Sequence, residues 1–174
     1  EECFETFRFQ ADLEHKNFHA DFLLDDTHLS GDPFRINQVL NNLLSNAFKF
    51  THEGDTISVS VSQISRGDYA KYKIVVADTG IGMSKEFLPH LFEPYSREMR
   101  FSAKQTIGTG LGMPITKNLV TQMNGEIWVE SAPGEGTAFT LILPFAVLKD
   151  PHPLSDATND NAEAFSLEGI HILL

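Results

Sequence analysis

The chain has 174 residues, 41% hydrophobic and 21% charged, enough apolar material for one soluble domain with a core of its own plus tails. Its formal net charge of -11 at pH 7 argues against a nucleic-acid groove, which needs clustered Lys and Arg, so a phosphate ligand would require local positive charge or a metal. No apolar run reaches the roughly 20 residues of a membrane helix, the N-terminus lacks the layout of a signal peptide, and the single cysteine, Cys3, cannot close an internal disulfide, which fits a reducing compartment.

Residues 1 to 30 mix short apolar clusters (Phe4, Phe7, Phe9, then Phe22, Leu23, Leu24) with polar residues, predicting a helix end followed by a strand. From Asp32 the pattern sharpens. Asp32 can cap a helix and Pro33 suits its first turn, while Ile36, Val39, Leu40, Leu43, Leu44, Ala47 and Phe48 recur at helical spacing. Ile57, Val59 and Val61 then alternate with polar residues, Arg66-Gly67-Asp68 turns the chain, and Tyr72 to Ala77 completes a hairpin. After a glycine-rich turn at 79 to 82 a short helix is expected near 84 to 92, then a polar stretch to Thr106 and a second glycine cluster at 108 to 112. Pro114 opens another helix through Ile115, Leu119, Val120 and Met123, stopped by a left-handed Asn124-Gly125. Strands from Glu126 to Ser131 and from Ala138 to Leu143 flank the turn Pro133-Gly134-Glu135-Gly136. Beyond Pro144 the composition becomes that of a linker, and Gly169 to Leu174 is a final apolar run that reads as a strand. There are no internal repeats.

Three segments carry the chemistry. Asn42, Asn46 and Lys49 lie at i, i+4 and i+7, a polar stripe beside the apolar face of one helix, which by itself is also what an ordinary solvated helix face looks like. Asp78 follows the apolar strand Ile74-Val75-Val76-Ala77 and precedes Thr79-Gly80-Ile81-Gly82-Met83, where two glycines let the backbone bend or approach a ligand. Gly108-Thr109-Gly110-Leu111-Gly112-Met113 runs into the helix at Pro114, whose open N–H groups and dipole favour an anion. Neither glycine cluster is a Walker loop or a full dinucleotide fingerprint.

In order and spacing these segments resemble the catalytic domain of histidine kinases, a branch of the Bergerat-type ATPases, over roughly residues 32 to 145. Gln38 to Thr51 resembles the N box, 78 to 83 the first glycine box and Leu91-Phe92-Glu93-Pro94-Tyr95 the F box. Residues 108 to 113 resemble the second glycine box, and Gly134-Glu135-Gly136-Thr137 the closing glycine motif. The resemblance implies an α+β fold, a two-layer sandwich whose mixed sheet is covered on one face by helices, with ATP held under a mobile lid at about 94 to 108. It implies that Asn46 holds Mg²⁺ through its side-chain oxygen with Asn42 assisting, and that Lys49 contacts phosphate. Asp78 would accept the exocyclic amine of adenine, Phe50 would pack near the purine and Thr137 would support the same end. Gly80 and Gly82 belong to the first loop of the nucleotide site; Gly108, Thr109, Gly110, Leu111 and Gly112 would let lid backbone meet the phosphates. Arg97 and Lys104 are lid candidates for charge stabilisation, though both also suit plain surface positions.

In the hydrolysing relatives, gyrase B subunits and heat-shock chaperone ATPases, a glutamate four residues before the magnesium asparagine activates water. Here that position is Asn42, and an amide cannot serve as a general base, so phosphoryl transfer to another nucleophile is expected. The resemblance implies a phosphoacceptor histidine followed by an acidic residue on a helical hairpin; none of His15, His19, His28, His52, His90, His152 and His171 sits in that context, so the acceptor is expected upstream, outside this chain. The implied organisation is the end of a dimerisation and phosphoacceptor region at 1–30, the ATP-binding catalytic domain at 31–146, a linker at 147–167 and, at 168–174, the first strand of a receiver domain. The parent would be a homodimeric hybrid sensor kinase, this part of it cytoplasmic, with membrane anchoring of the parent compatible. The alternatives are a serine kinase of the anti-sigma-factor type and a non-catalytic nucleotide-binding interaction module.

Overall fold

The computed structural model describes residues 2–25, 28–98, 109–148 and 163–166. Alternation along the chain dictates the sheet. In Thr56–Gln63 (β3) and Tyr69–Asp78 (β4) every second side chain is apolar, so Ile57, Val59, Ala70, Tyr72, Ile74 and Val76 are buried while Ser60, Lys71 and Lys73 on the opposite face stay exposed. The hairpin is extended on one side by Asn17–Leu23 (β1), parallel to β3, and on the other by Gly136–Val147 (β6), antiparallel to β4. The far edge of β6 is shared: Glu126–Ala132 (β5) pairs with its first half, while His28–Gly31 (β2) pairs with its end at Val147 and Ala146. With one further short strand on the free edge of β2, the described residues form a mixed seven-stranded sheet.

Three helices bury one face of it. Pro33–Phe50 (α2) starts where the Asp32 carboxylate accepts the Arg35 N–H at 3.1 Å, and turns Val39, Leu40, Leu43, Leu44, Ala47 and Phe48 into the core. Glu2–Leu13 (α1) packs Phe4, Phe7 and Ala11 inward; the Phe7 ring stacks on Phe48 at 5.3 Å and Phe4 meets Phe22 edge-on at 5.9 Å. Gly112–Gln122 (α3) lies beside α2 and buries Met113, Thr116 and Val120.

Several expected boundaries move. The stretch at 84 to 92 is not an α-helix but turns and a 3₁₀ segment, Leu88–His90: the N–H groups of His90, Leu91 and Glu93 bond three residues back, and Pro89 has no N–H with which to build an α ladder. Helix α3 starts at Gly112, two residues before Pro114. At its end Asn124 takes the left-handed conformation (φ 56°), whereas Gly125 has an ordinary φ and is required for another reason: a Cβ there would meet the Ile142 carbonyl oxygen at 2.7 Å. The four-residue strand β2 is too short to show a period; fully buried Leu29 anchors it. Within the stretch expected as a linker, Glu163–Ser166 (β7) adds antiparallel to β2. The expected receiver strand at 168–174 and, of the lid expected at about 94 to 108, the part from 99 to 108 with Lys104 and Gly108 lie outside the described residues.

Candidate functional site

The site begins where β4 ends. Asp78 is paired in register with Thr137 of β6, and Thr137 in turn with Ser131 of β5, so three polar side chains line up across adjacent strands. One carboxylate oxygen of Asp78 accepts the Gly80 N–H at 2.9 Å, and the Thr137 backbone N–H bonds the same group. Burial nevertheless dominates and pushes the Asp78 pKa up to about 6; the two N–H donors oppose this, and nearby Asp55 adds to it.

The turn after Asp78 is held by close backbone approaches that side chains would block. A Cβ on Gly80 would collide with the Phe50 carbonyl oxygen, and one on Gly82 (φ 61°) with that of Ala132. The Ile81 N–H donates to the Phe50 carbonyl at 3.1 Å and the Gly134 N–H to that of Ile81 at 2.9 Å, tying the turn to the end of α2 and to the β5–β6 turn. Gly80 therefore serves the protein's own packing and is not among the cavity-lining residues. Ser131, which the sequence did not single out, is a hub here. Its hydroxyl accepts the Met83 N–H at 2.8 Å, donates to the Gly136 carbonyl at 2.8 Å and lies 2.9 Å from Thr137 Oγ1.

The other wall is helical. Asn46, Lys49 and Phe50 project from the last turns of α2, with the Lys49 ammonium 4.9 Å from the centroid of the Phe50 ring. Partial burial, followed by the nearby positive charge of Arg97, lowers the Lys49 pKa. Asn42 stands one turn earlier, off the cavity wall, and its amide nitrogen donates to Thr116 Oγ1 of α3 at 3.3 Å. No side chain caps the N-terminus of α3, and its first residues, Gly112 and Met113, face the same space. Gly110 (φ 70°) sits against Tyr95, whose N–H donates to the Gly110 carbonyl at 3.0 Å.

Between the walls lies a cavity of about 360 Å³. Asn46, Lys49, Phe50, Asp78, Gly82, Arg97, Thr109, Gly110, Gly112 and Thr137 all line it. Asn42, Gly80 and Leu111 do not; Leu111 is the residue that precedes α3. The sequence reading missed the apolar lining of Met83, Phe87, Leu91, Met113 and Phe139, whose helix- or strand-period signal is indistinguishable from core packing. Among the described residues no helix is long and apolar enough to cross a membrane.

Residues 31–147 match the family described as histidine kinase-, DNA gyrase B- and HSP90-like ATPase. Sensor protein GacS of Pseudomonas syringae pv. syringae is 45% identical over 115 residues, which is 66% of this chain and 13% of that protein. Among solved structures, the mycobacterial sensor histidine kinase MprB superposes with a TM-score of 0.69 at 25% identity, covering 84% of this chain and 93% of that one. Full-length ShkA in complex with AMPPNP gives 0.69 at 25% identity, over 87% of this chain and 30% of that one. The chain thus spans only a small part of the full-length relatives it matches. A cavity shared by the asparagine helix and the strand-end aspartate, and the match over most of the chain, lead to one conclusion: this chain belongs to the histidine kinase-, gyrase B- and HSP90-like ATPase family, as an ATP-binding catalytic domain of the sensor histidine kinase type.

Proposed function

We propose that the cavity binds ATP with Mg²⁺ and that the domain directs the γ-phosphoryl group to a histidine on a helical hairpin of the same parent protein. The observation that carries this reading is that Asn46 and Asp78, far apart in sequence, line one cavity together with the uncapped start of α3. The donor set fits a metal that arrives with its phosphates: Asn46 offers a neutral amide oxygen, suited to a cation whose charge phosphate oxygens already balance. Mg²⁺ bound there would neutralise charge developing between the β- and γ-phosphates. Asn46 orients that end, while Asn42, off the cavity wall, ties α2 to α3 through Thr116, and Lys49, Arg97 and the backbone of Thr109, Gly110 and Gly112 meet phosphate oxygens. At the other end Asp78 accepts the exocyclic amine of adenine, Thr137 stands beside it and Phe50 packs near the purine. In the transfer the bond from the γ-phosphorus to the bridging oxygen breaks, a phosphorus–nitrogen bond forms to the acceptor imidazole, and ADP leaves. An amide at Asn42 cannot take a proton from water, which favours this transfer over hydrolysis.

The relatives' names support a sensor kinase parent, and α1 supports the proposed connection to a helical hairpin. Besides its buried face, α1 exposes Phe9 and Leu13 at i, i+4, an apolar pair suited to a helical partner such as a second copy in a homodimer. A receiver domain remains the proposed downstream neighbour. Titration of the chain with ATP and GTP, with and without Mg²⁺, tests the site; tight Mg²⁺-dependent ATP binding with GTP much weaker is expected. Adding the parent's hairpin and assaying for acid-labile phosphate tests the reaction. Acid-stable phosphate would point to a serine kinase, and no transfer at all to a nucleotide-dependent interaction module.

A further inference from the structure

We infer that Ser131 is a positioning residue that sets the hydrogen-bond polarity of the purine end of the site and thereby its preference for adenine over guanine. The inference rests on the reading that Asp78 and Thr137 face the base. A hydroxyl carries one proton and two acceptor lone pairs. Ser131 Oγ spends the proton on the Gly136 carbonyl at 2.8 Å and one lone pair on the Met83 N–H at 2.8 Å. Only a lone pair remains for its 2.9 Å contact with Thr137 Oγ1, so in that contact Thr137 is the donor.

The consequence reaches the cavity. The single hydroxyl proton of Thr137 is held toward Ser131, leaving Thr137 to offer acceptor lone pairs to a ligand. Its register partner on β4 is Asp78, a carboxylate, which likewise accepts. A base edge carrying an amine satisfies such a pair, whereas one carrying a carbonyl oxygen meets only acceptors. Ser131 lies off the cavity wall, so it acts through Thr137. Without its hydroxyl, the Thr137 proton becomes free to rotate and can donate to a guanine oxygen.

The test uses the whole 174-residue chain and displacement of a fluorescent adenine nucleotide by ATP and by GTP. Ser131→Ala is expected to narrow the ratio of ATP to GTP affinity about tenfold, the scale of one hydrogen bond. Ser131→Thr, which retains the hydroxyl, should keep the wild-type ratio. In a Thr137→Val background, Ser131→Ala should change the ratio no further. Equal weakening of both nucleotides in Ser131→Ala, with the ratio intact, would mean that the residue merely supports the fold, and would overturn the inference. Asp78→Asn separates the two levels. If it weakens ATP while Ser131→Ala leaves the ratio alone, only the role of Ser131 fails; if it leaves ATP binding untouched, the site reading fails and this inference with it.

Discussion

The two walls of the cavity are built differently. The strand wall, Asp78 with Thr137 and with Ser131 behind them, is fixed by the pairing of β4, β6 and β5 and by hydrogen bonds of 2.8–2.9 Å, so its donors and acceptors are set before a ligand arrives. The opposite wall offers longer side chains, Lys49 from the end of α2 and Arg97 from the loop at 96 to 98; partial burial first, then the charge of Arg97, lowers the Lys49 pKa. A rigid wall can reject a wrong base because an unmatched polar group there cannot move away. A wall of cations, with Lys49 held against the Phe50 ring, can instead offer charge to a phosphate chain.

The largest expected effect tests the rigidity of the strand wall. Gly136 has φ 86°, and a Cβ there would collide with the Asp78 carbonyl oxygen, so Gly136→Ala should cost about 3–4 kcal/mol in urea unfolding. Neighbouring Gly134 has a similar φ of 78° but open space around it, and Gly134→Ala should cost only about 1 kcal/mol; equal losses would show that backbone angle rather than close approach governs the turn. Next come the ligand contacts. Asp78→Asn should weaken ATP on the order of 100-fold in calorimetry, with or without Mg²⁺. Asn46→Ala should produce a loss of similar or smaller size that vanishes when Mg²⁺ is removed, and a loss that persists without the metal would move Asn46 away from the metal end. A smaller effect belongs to Asn42, whose bond to Thr116 joins α2 to α3. Asn42→Ala should lower stability by about 1 kcal/mol and affect ATP affinity less than Asn46→Ala does.

The smallest effect is a pH dependence of unusual sign. Asp78 has its pKa raised from 3.8 to about 6, so it is the ionised form that burial penalises. The unliganded domain should therefore gain stability at this site as pH falls from about 7 toward 5, by under about 1 kcal/mol given the partial exposure of the carboxyl. Urea midpoints of wild type and Asp78→Asn, compared across that range, isolate the effect; a difference independent of pH would place the carboxyl in a water-like setting.

Much of the fold could be read locally. The apolar repeat of α2, the period-two alternation of β3 and β4 and the glycine motifs sit in single segments, and each was found because it repeats within a few residues. The same locality explains the misses. The stretch at 84 to 92 has helix-like apolar spacing, but Pro89 and three-residue closures make it a 3₁₀ turn. The pair Gly80 and Gly82 predicts a backbone that bends or approaches a ligand; both make their close approaches to the protein's own carbonyls, and only Gly82 also lines the cavity.

Sequence alone determined which residue types stand at the helix face and the strand tip, because periodicity and motif spacing are properties of a continuous segment. Only the tertiary structure decided that Ser131, Thr137 and Asp78 share one row, that Asn42 turns to Thr116 while Asn46 faces the cavity, and that the short strand β2 closes onto β6. The physical reason is that strand register and helix contact join residues distant in sequence. Which way a hydroxyl proton points is then fixed by neighbours that no local pattern reveals.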